Sequence, residues 1–327
     1  MLAAFVETPN FDDPLSALMV GEMPEPWADE DSVKVTVQAA SLNRHDLWTL
    51  RGVTQHPPLP LPMILGCDGA GLLDDGSPVI IYPGIGFPDW HAEETLDERF
   101  HVLSELHPGA MAEYIVVPRR CVFPRPAELS AAEAAALGTA WLTAYKMLFV
   151  RSGMRPGQRM LVQGASGGVS TALIQLGRAA GMEIWVTGQS ERSRALAAEL
   201  GAHRTFKSGE VLPEPVEAVF ETVGEATWSH SLSSVRRGGT VVVAGRTSGK
   251  SPKAGLRNIF VNQLTIQGSV LGSLDDMQDL VRFVVHTGIR PKIGSVLPLS
   301  QAREGFRAMW EGQSQGKTVF TPDQASG

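Results

Sequence analysis

The chain has 327 residues, 43% of them hydrophobic and 19% charged, with a formal net charge of −7. That length favours two domains over one, and the composition belongs to well-buried globular proteins rather than disordered ones. The acidic balance and the lack of any basic run of five or more residues argue against nucleic acid as a partner. Two cysteines cannot build a disulfide framework. The start, "MLAAFVETPNFDDP", lacks the pattern of a secretory signal, and no window reaches the roughly 18 apolar residues of a membrane span. The expectation is a soluble, cytoplasmic protein that meets no membrane and keeps its thiols reduced.

Up to about residue 122 the chain reads as short β-branched runs between turn residues: "SVKVTVQAAS", "SPVIIYPG" and "AEYIVVP". That texture predicts an antiparallel, barrel-like β unit. A polar stretch, "SLNRHDLW", and a glycine-rich turn, "PMILGCDGAG", interrupt it. After "VFPRPAELSAAEAAALGTAWLTAYKMLF" the rhythm changes to alternating strand and helix. "RMLVQG" is a buried strand, and "GVSTALIQLGRAAG" is a helix with apolar Val169, Leu173, Ile174 and Leu176 on one side. "EIWVTG" is the next strand, and "SERSRALAAELG" is a helix capped by Ser190 and stopped by Gly201. "EAVFETVG", "GGTVVVAG" and "LTIQGSVLG" supply further strands. Near-continuous apolar strands between helices predict a parallel sheet covered on both faces, a doubly wound α/β fold. From about residue 273 one helix, "SLDDMQDLVRFVVHTG", and a closing strand, "GKTVFTP", complete the chain. The expected division is therefore a β domain over 1–122, a nucleotide-binding domain over 123–272, and a return to the first domain over 273–327.

The turn "GASGGV" places Gly164, Ala165, Ser166, Gly167, Gly168 and Val169 between a buried strand and an amphipathic helix. Glycines allow close backbone approach, and the helix amino terminus offers free N–H groups and a favourable dipole to a dinucleotide pyrophosphate. A tight turn with no ligand is the plain alternative. At the end of the second strand a carboxylate would hold the ribose 2′-hydroxyl of NAD. Gly188 stands there instead, followed by Ser190, Arg192 and Arg194, a hydroxyl and cations that suit the 2′-phosphate of NADPH. A solvated first helical turn would also carry such residues.

Taken in order, "AASLNRHDLW", "LPMILGCDGAG", "GAMAEYIVVP", "EAAALGTAWLTAYKML", "GASGGVS" and "GKTVF" resemble the medium-chain dehydrogenase/reductase superfamily, in its zinc-free quinone oxidoreductase-like branch. The resemblance spans nearly the whole chain. It departs at Ser170, where the family usually has glycine, and at the short "GLLDDGSPVI", which omits a usual loop. It implies a GroES-like β domain paired with a Rossmann domain, and a site in the cleft between them. It further implies cofactor contacts at Thr139, Thr143, Val223, Gly224, Ala244, Gly245, Ser269, Val270 and Lys317, and a homodimer formed through an edge strand near "LTIQGSVLG".

Matched motif to motif, the catalytic zinc ligands of the zinc-dependent members fall at Asn43, at Cys67 with Asp68, and at Thr139. Only Cys67 is a good zinc ligand, whereas a catalytic zinc needs three from the protein. The region of their structural zinc, residues 88–108, has no cysteine. Its His91, His101 and His107 are the residue types of solvated loops. The expectation is no metal. Without a Lewis acid, hydride transfer needs an acceptor that delocalises its own charge, such as a quinone or an α,β-unsaturated carbonyl. Candidate catalytic residues are Asn43 as an amide donor, Arg44 and His45 as a cation or proton donor, and Asp46 as their orienter; Tyr82 is a further candidate. Turn capping is the structural alternative for Asp46 and Asp68. The expected activity is a small-molecule oxidoreductase that uses NADPH and no zinc. The alternatives are an alcohol dehydrogenase or carbonyl reductase of the same superfamily, and a non-catalytic NADPH-binding protein.

Overall fold

The computed structural model describes residues 1–54 and 56–323, so the last four residues of the expected 273–327 segment lie outside the described residues. The chain divides into two compact units. The first comprises residues 1–139, 273–286 and 290–327, and the second residues 140–272 and 287–289. Residues 123–139, grouped by the sequence reading with the nucleotide-binding domain, cluster with the first unit instead. The reason is local: the Ala131–Ala136 helix packs on the Ser32–Ser41 and Asp68–Leu72 strands.

The first unit is built on a seven-stranded sheet whose central strand is Ser32–Ser41, with alternating burial along most of its length. This strand pairs antiparallel with Asp68–Leu72, Tyr114–Pro118 and Lys317–Thr321. The pairing sets Ser41 opposite both Asp68 and Val319, so residues distant in sequence meet at one end of the strand. Gly71 makes the crossing possible. A Cβ there would lie 2.1 Å from the Thr36 carbonyl oxygen, closer than any side chain tolerates. The tail holds more than one helix and one strand. Ile293–Pro298 pairs parallel with Lys317–Thr321, and Ala302–Trp310 forms a second helix burying Ala302, Gly305 and Phe306.

The second unit is a six-stranded parallel sheet. Its spatial order is Arg204–Lys207, Glu183–Gly188, Arg159–Gln163, Val216–Glu221, Val235–Val243, Thr265–Gly268. Numbered along this unit the order is 3-2-1-4-5-6, the doubly wound arrangement that opens a ligand crevice at the carboxyl ends of the central strands. The Arg204–Lys207 strand is absent from the sequence reading because, at the sheet edge, three of its four residues keep contact with solvent. Leu161, Trp185, Phe206, Val216, Val219, Leu232, Val235 and Val241 form the core on one face of the sheet. The helices Gly168–Ala179, Glu191–Glu199 and Glu225–Ser234 cover the strands. No helix among the described residues is long and apolar enough to cross a membrane.

Leu161 is fully buried in the middle of that sheet. Leu161→Ala should cost about 2–5 kcal/mol through lost burial and a residual cavity. Thermal and urea denaturation should both register the loss, and an unchanged midpoint would contradict this packing.

Candidate active site

The first unit concentrates polar groups where the Ser32–Ser41 strand gives way to a helix. Asn43 precedes the Arg44–Leu50 helix, and its backbone N–H donates to Asp46 Oδ2 at 2.8 Å, half of a capping box. Asp46 Oδ1 accepts the Gly66 N–H at 2.9 Å, tying this helix to the "GCDGAG" turn. Burial pushes the Asp46 carboxyl up to about 6, against the opposing pull of the His45 charge and those backbone donors.

Asp68, fully buried, sits at the centre. Its Oδ2 accepts from Ser41 Oγ at 2.8 Å and Asn43 Nδ2 at 2.7 Å, and its Oδ1 accepts from both Thr139 N and Thr139 Oγ1 at 2.6 Å. The bonds to Thr139 bend the chain. At Gly138 the helical path breaks (φ −58°, ψ −114°), and a Cβ there would stand 2.3 Å from Asp68 Oδ1. Lys317 approaches from the last strand, 3% exposed. Its Nζ donates to Asn43 Oδ1 at 2.6 Å and Leu42 O at 2.8 Å and lies 3.5 Å from Asp68 Oδ2. Burial lowers the Lys317 pKa, and Asp68 and Asp46 oppose the shift.

Beside this cluster, His45 Nε2 pairs with Glu105 Oε1 at 3.1 Å, and Nδ1 lies 3.2 Å from Cys67 Sγ and 3.5 Å from Thr49 Oγ1. The Cys67 thiol donates to Leu103 O at 3.2 Å, which leaves its sulfur to accept from the ring. Burial alone would lower the His45 pKa. The hydrogen bond and charge of Glu105, helped by Asp46 and Asp68, outweigh burial and raise it. Burial, reinforced by Asp46, Asp68 and Glu105, pushes the Cys67 thiol well above its ordinary range, which makes it a poor nucleophile.

Several expected roles change. The Asn43 carboxamide spends its N–H groups on Asp68 and on Ser41 O (3.2 Å) and its oxygen on Lys317, so it builds the cluster and presents no free donor. Arg44 is exposed and makes no hydrogen bond or ion pair among the described residues, so the structure does not bring it to the cluster. Tyr82 is fully buried and donates to Glu94 at 2.9 Å. Thr139 and Lys317, expected at the cofactor, are bonded within the Asp68 cluster. His101 is not a solvated loop residue; it is 3% exposed, stacks on His107 and shares a 2.8 Å hydrogen bond with it. Glu105 is the buried partner of His45, and the sequence reading does not include it. It sits in a turn between two histidines, in a stretch with no motif of its own to mark it.

The second unit gathers the expected dinucleotide residues at the carboxyl ends of its strands. Gly164 takes φ +85°, and Gly167 begins the Gly168–Ala179 helix with no side-chain cap, so the first-turn N–H groups, at Val169 among others, stay free for an anion. Ala165 is buried and Ser166 half-buried in that turn. Thr143 is buried, and Val223, Ala244 and Gly245 are half-buried at the neighbouring strand ends. Gly224, at φ +95°, turns the chain there. Ser269 Oγ is buried with no hydrogen-bond partner among the described residues, a polar atom left for a ligand, while Val270 is exposed. At the second strand, Ser190 Oγ caps its helix by accepting from Ser193 N at 3.1 Å, and Arg194 is drawn to Gly188 O at 2.9 Å. Arg192 is exposed and makes no hydrogen bond or ion pair among the described residues. Beneath the turn runs a line of hydrogen bonds that sequence reasoning did not find. Thr187 donates to Gln163 (2.6 Å), Gln163 to Ser231 (3.0 Å) and Ser231 to Glu221 (2.6 Å), whose other oxygen accepts Val223 N and Gly224 N.

An alcohol dehydrogenase GroES-like domain model matches residues 29–127, and a zinc-binding dehydrogenase model matches residues 168–286. A 2-methylene-furan-3-one reductase of Solanum lycopersicum is 30% identical over 314 residues, covering 91% of this chain and 73% of that protein. A quinone oxidoreductase of Lama guanicoe is 26% identical over 335 residues, covering 96% of each. A solved NAD-dependent alcohol dehydrogenase superposes with a TM-score of 0.91 at 31% identity, over 99% of this chain and 100% of that one. The chain belongs to the medium-chain dehydrogenase/reductase superfamily.

Zinc-type members of the superfamily raise the question of a metal. The residues at the matched ligand positions do not fit one. Asn43 and Thr139 offer an amide and a hydroxyl already bonded to Asp68, and the Lys317 ammonium stands among them. A second set, His45, Asp46 and Cys67, has ligand atoms within 4.8 Å of one another. There the His45 ring is held by Glu105, both Asp46 oxygens are held by backbone N–H groups, and the thiol feels the Lys317 charge. The three carboxylates of Asp46, Asp68 and Glu105 already face the Lys317 ammonium and the His45 ring.

Removing the central charge should be costly. Asp68→Asn leaves Lys317 without its counter-charge and turns amide hydrogens toward Thr139, a loss on the order of 3–5 kcal/mol. A drop in thermal midpoint of several degrees is expected, and an unchanged midpoint would contradict the pairing.

Proposed function

We propose that the protein is an NADPH-dependent, zinc-independent oxidoreductase that transfers hydride to a quinone or an α,β-unsaturated carbonyl. The observation that carries this reading is the Lys317–Asn43–Asp68 cluster, in which Asn43 and Thr139, at matched zinc-ligand positions, are bonded to Asp68 and the Lys317 ammonium faces the same carboxylate. With no Lewis acid to polarise a simple alcohol or ketone, the fitting acceptors are those that spread charge over a conjugated system. The names of the tomato reductase and the quinone oxidoreductase agree with that class.

The choice of NADPH rests on the second strand. A Cβ at Gly188 would lie 2.9 Å from Arg194 Cγ and Ser193 Oγ and 3.0 Å from Ala165 Cβ, so an acid has no room where NAD would need one. Arg192 is free to pair with the 2′-phosphate, and Ser190 keeps its hydroxyl proton for the same anion. Bound NADPH supplies the hydride. The uncapped Gly168–Ala179 helix holds the pyrophosphate, and the Glu221 line fixes the Val223–Gly224 turn beside it. For an enone, hydride adds to the β-carbon and the resulting enolate takes a proton. His45, 20% exposed at its side chain, is the acid of the cluster that reaches solvent. Its Nε2 stays committed to Glu105. An alcohol dehydrogenase or carbonyl reductase of the same superfamily is the second reading, favoured by the name of the solved relative. The proposal extends to a cytoplasmic homodimer. The Thr265–Gly268 strand ends the sheet with its outer edge unpaired among the described residues, and Ile266 and Val270 are exposed along it.

Two outcomes test this reading. Arg192→Ala should weaken NADPH binding about tenfold or more and leave NADH unchanged, since a charge-assisted phosphate contact contributes roughly 1.5–3 kcal/mol. Equal affinity of the unaltered protein for both cofactors would refute the assignment. In enone reduction the rate should fall as pH rises through the raised His45 pKa, because the imidazolium is the active form. His45→Gln should lower kcat by roughly 10²-fold or more and abolish that limb of the profile. A quinone, whose reduced oxygen takes its proton from water, should respond less. Unchanged enone rates and profile would remove His45 from the chemistry.

A further inference from the structure

The Lys317 ammonium is buried, yet it keeps three oxygen neighbours, Leu42 O at 2.8 Å, Asn43 Oδ1 at 2.6 Å and Asp68 Oδ2 at 3.5 Å. A lysine this deep is retained only where fixed acceptors offset its desolvation. The oxygens around it come from residues 42, 43 and 68, the stretches that supply metal ligands in zinc-type relatives by motif. Its charge also reaches the Cys67 sulfur, opposing the rise of that thiol's pKa. The neighbouring Cys67, His45 and Asp46 have ligand atoms close enough to converge on an ion after small adjustments, with Glu105 behind the imidazole as an outer partner.

We infer that Lys317 is the resident cation of this cluster and that its ammonium excludes a divalent metal from a pocket otherwise furnished with ligands. A dication entering beside Cys67 would face a fixed positive charge in a medium that screens poorly. The lysine is thus a positioning residue with a second consequence. It orders Asn43 and Asp68 in the way a metal orders its ligands. This inference concerns the cluster alone and stands apart from the identity of the acceptor.

Cobalt(II) titration reads the exclusion directly, because a cobalt–thiolate bond gives an intense charge-transfer absorption that needs no turnover. The unaltered protein should show no such band and, by equilibrium dialysis, no stoichiometric uptake. Lys317→Met should bind one cobalt per chain at least about 10²-fold more tightly, with the thiolate band, and the added Cys67→Ser should remove the band. Lys317→Gln retains hydrogen-bond donors to Leu42 and Asn43 without the charge and should behave as Lys317→Met does, which covers the case of a variant that does not fold. A thiolate-bound cobalt in the unaltered protein would overturn the inference. So would a folded Lys317→Gln that binds cobalt no better than its parent.

Discussion

A carboxylate with no solvent exposure has to be met by donors, and Asp68 is met by strand, helix start, turn and final strand together. Ser41 and Asn43, Thr139, and Lys317 reach it from three separate stretches of chain. The local geometry follows from that demand. The Ser32–Ser41 strand must end where its hydroxyl can reach the acid, the Ala131–Ala136 helix must break at Gly138, and the last strand must deliver an ammonium. In a low-dielectric interior such a network is strong when every member is satisfied and costly when one is removed. That is why one residue can organise the whole polar end of this unit.

The same logic separates charge from chemistry. Asp68 and Lys317 neutralise one another and are sealed from solvent, so they set the shape of the cluster. His45 is the member with access to solvent, and the buried Glu105 beside it raises the imidazole pKa, which favours a role as proton donor. In the other unit the division is parallel. The Glu221, Ser231, Gln163 and Thr187 line is buried and structural, while the glycine turn above it leaves its helix N–H groups unspent.

Much of this was legible in the sequence. The Val-rich parallel strands and the glycine turn declare themselves because their signals are local, a run of apolar residues or three glycines between a strand and a helix. The Arg204–Lys207 edge strand did not, since one buried residue in four marks no period, and the Ala302–Trp310 helix went unread although Ala302, Gly305, Phe306 and Met309 recur at helical spacing. Asn43, His45, Asp46 and Cys67 stood out as an unusual polar grouping, but their roles depend on partners far along the chain. The Lys317–Asn43 bond joins residues 274 positions apart, and Glu105 lies 60 positions from His45. No spacing rule reaches across such a separation. Sheet register brings Lys317 there, and register is a property of the folded chain.

The central claim is that this cluster supports hydride transfer without a metal. The direct measurement is single-turnover reduction of an enone by C4-deuterated NADPH, using protein dialysed against chelator and verified to be free of zinc. Full turnover with a primary isotope effect, unchanged on adding zinc, is the result predicted. Turnover that vanishes with the metal and returns in proportion to added zinc would contradict the account.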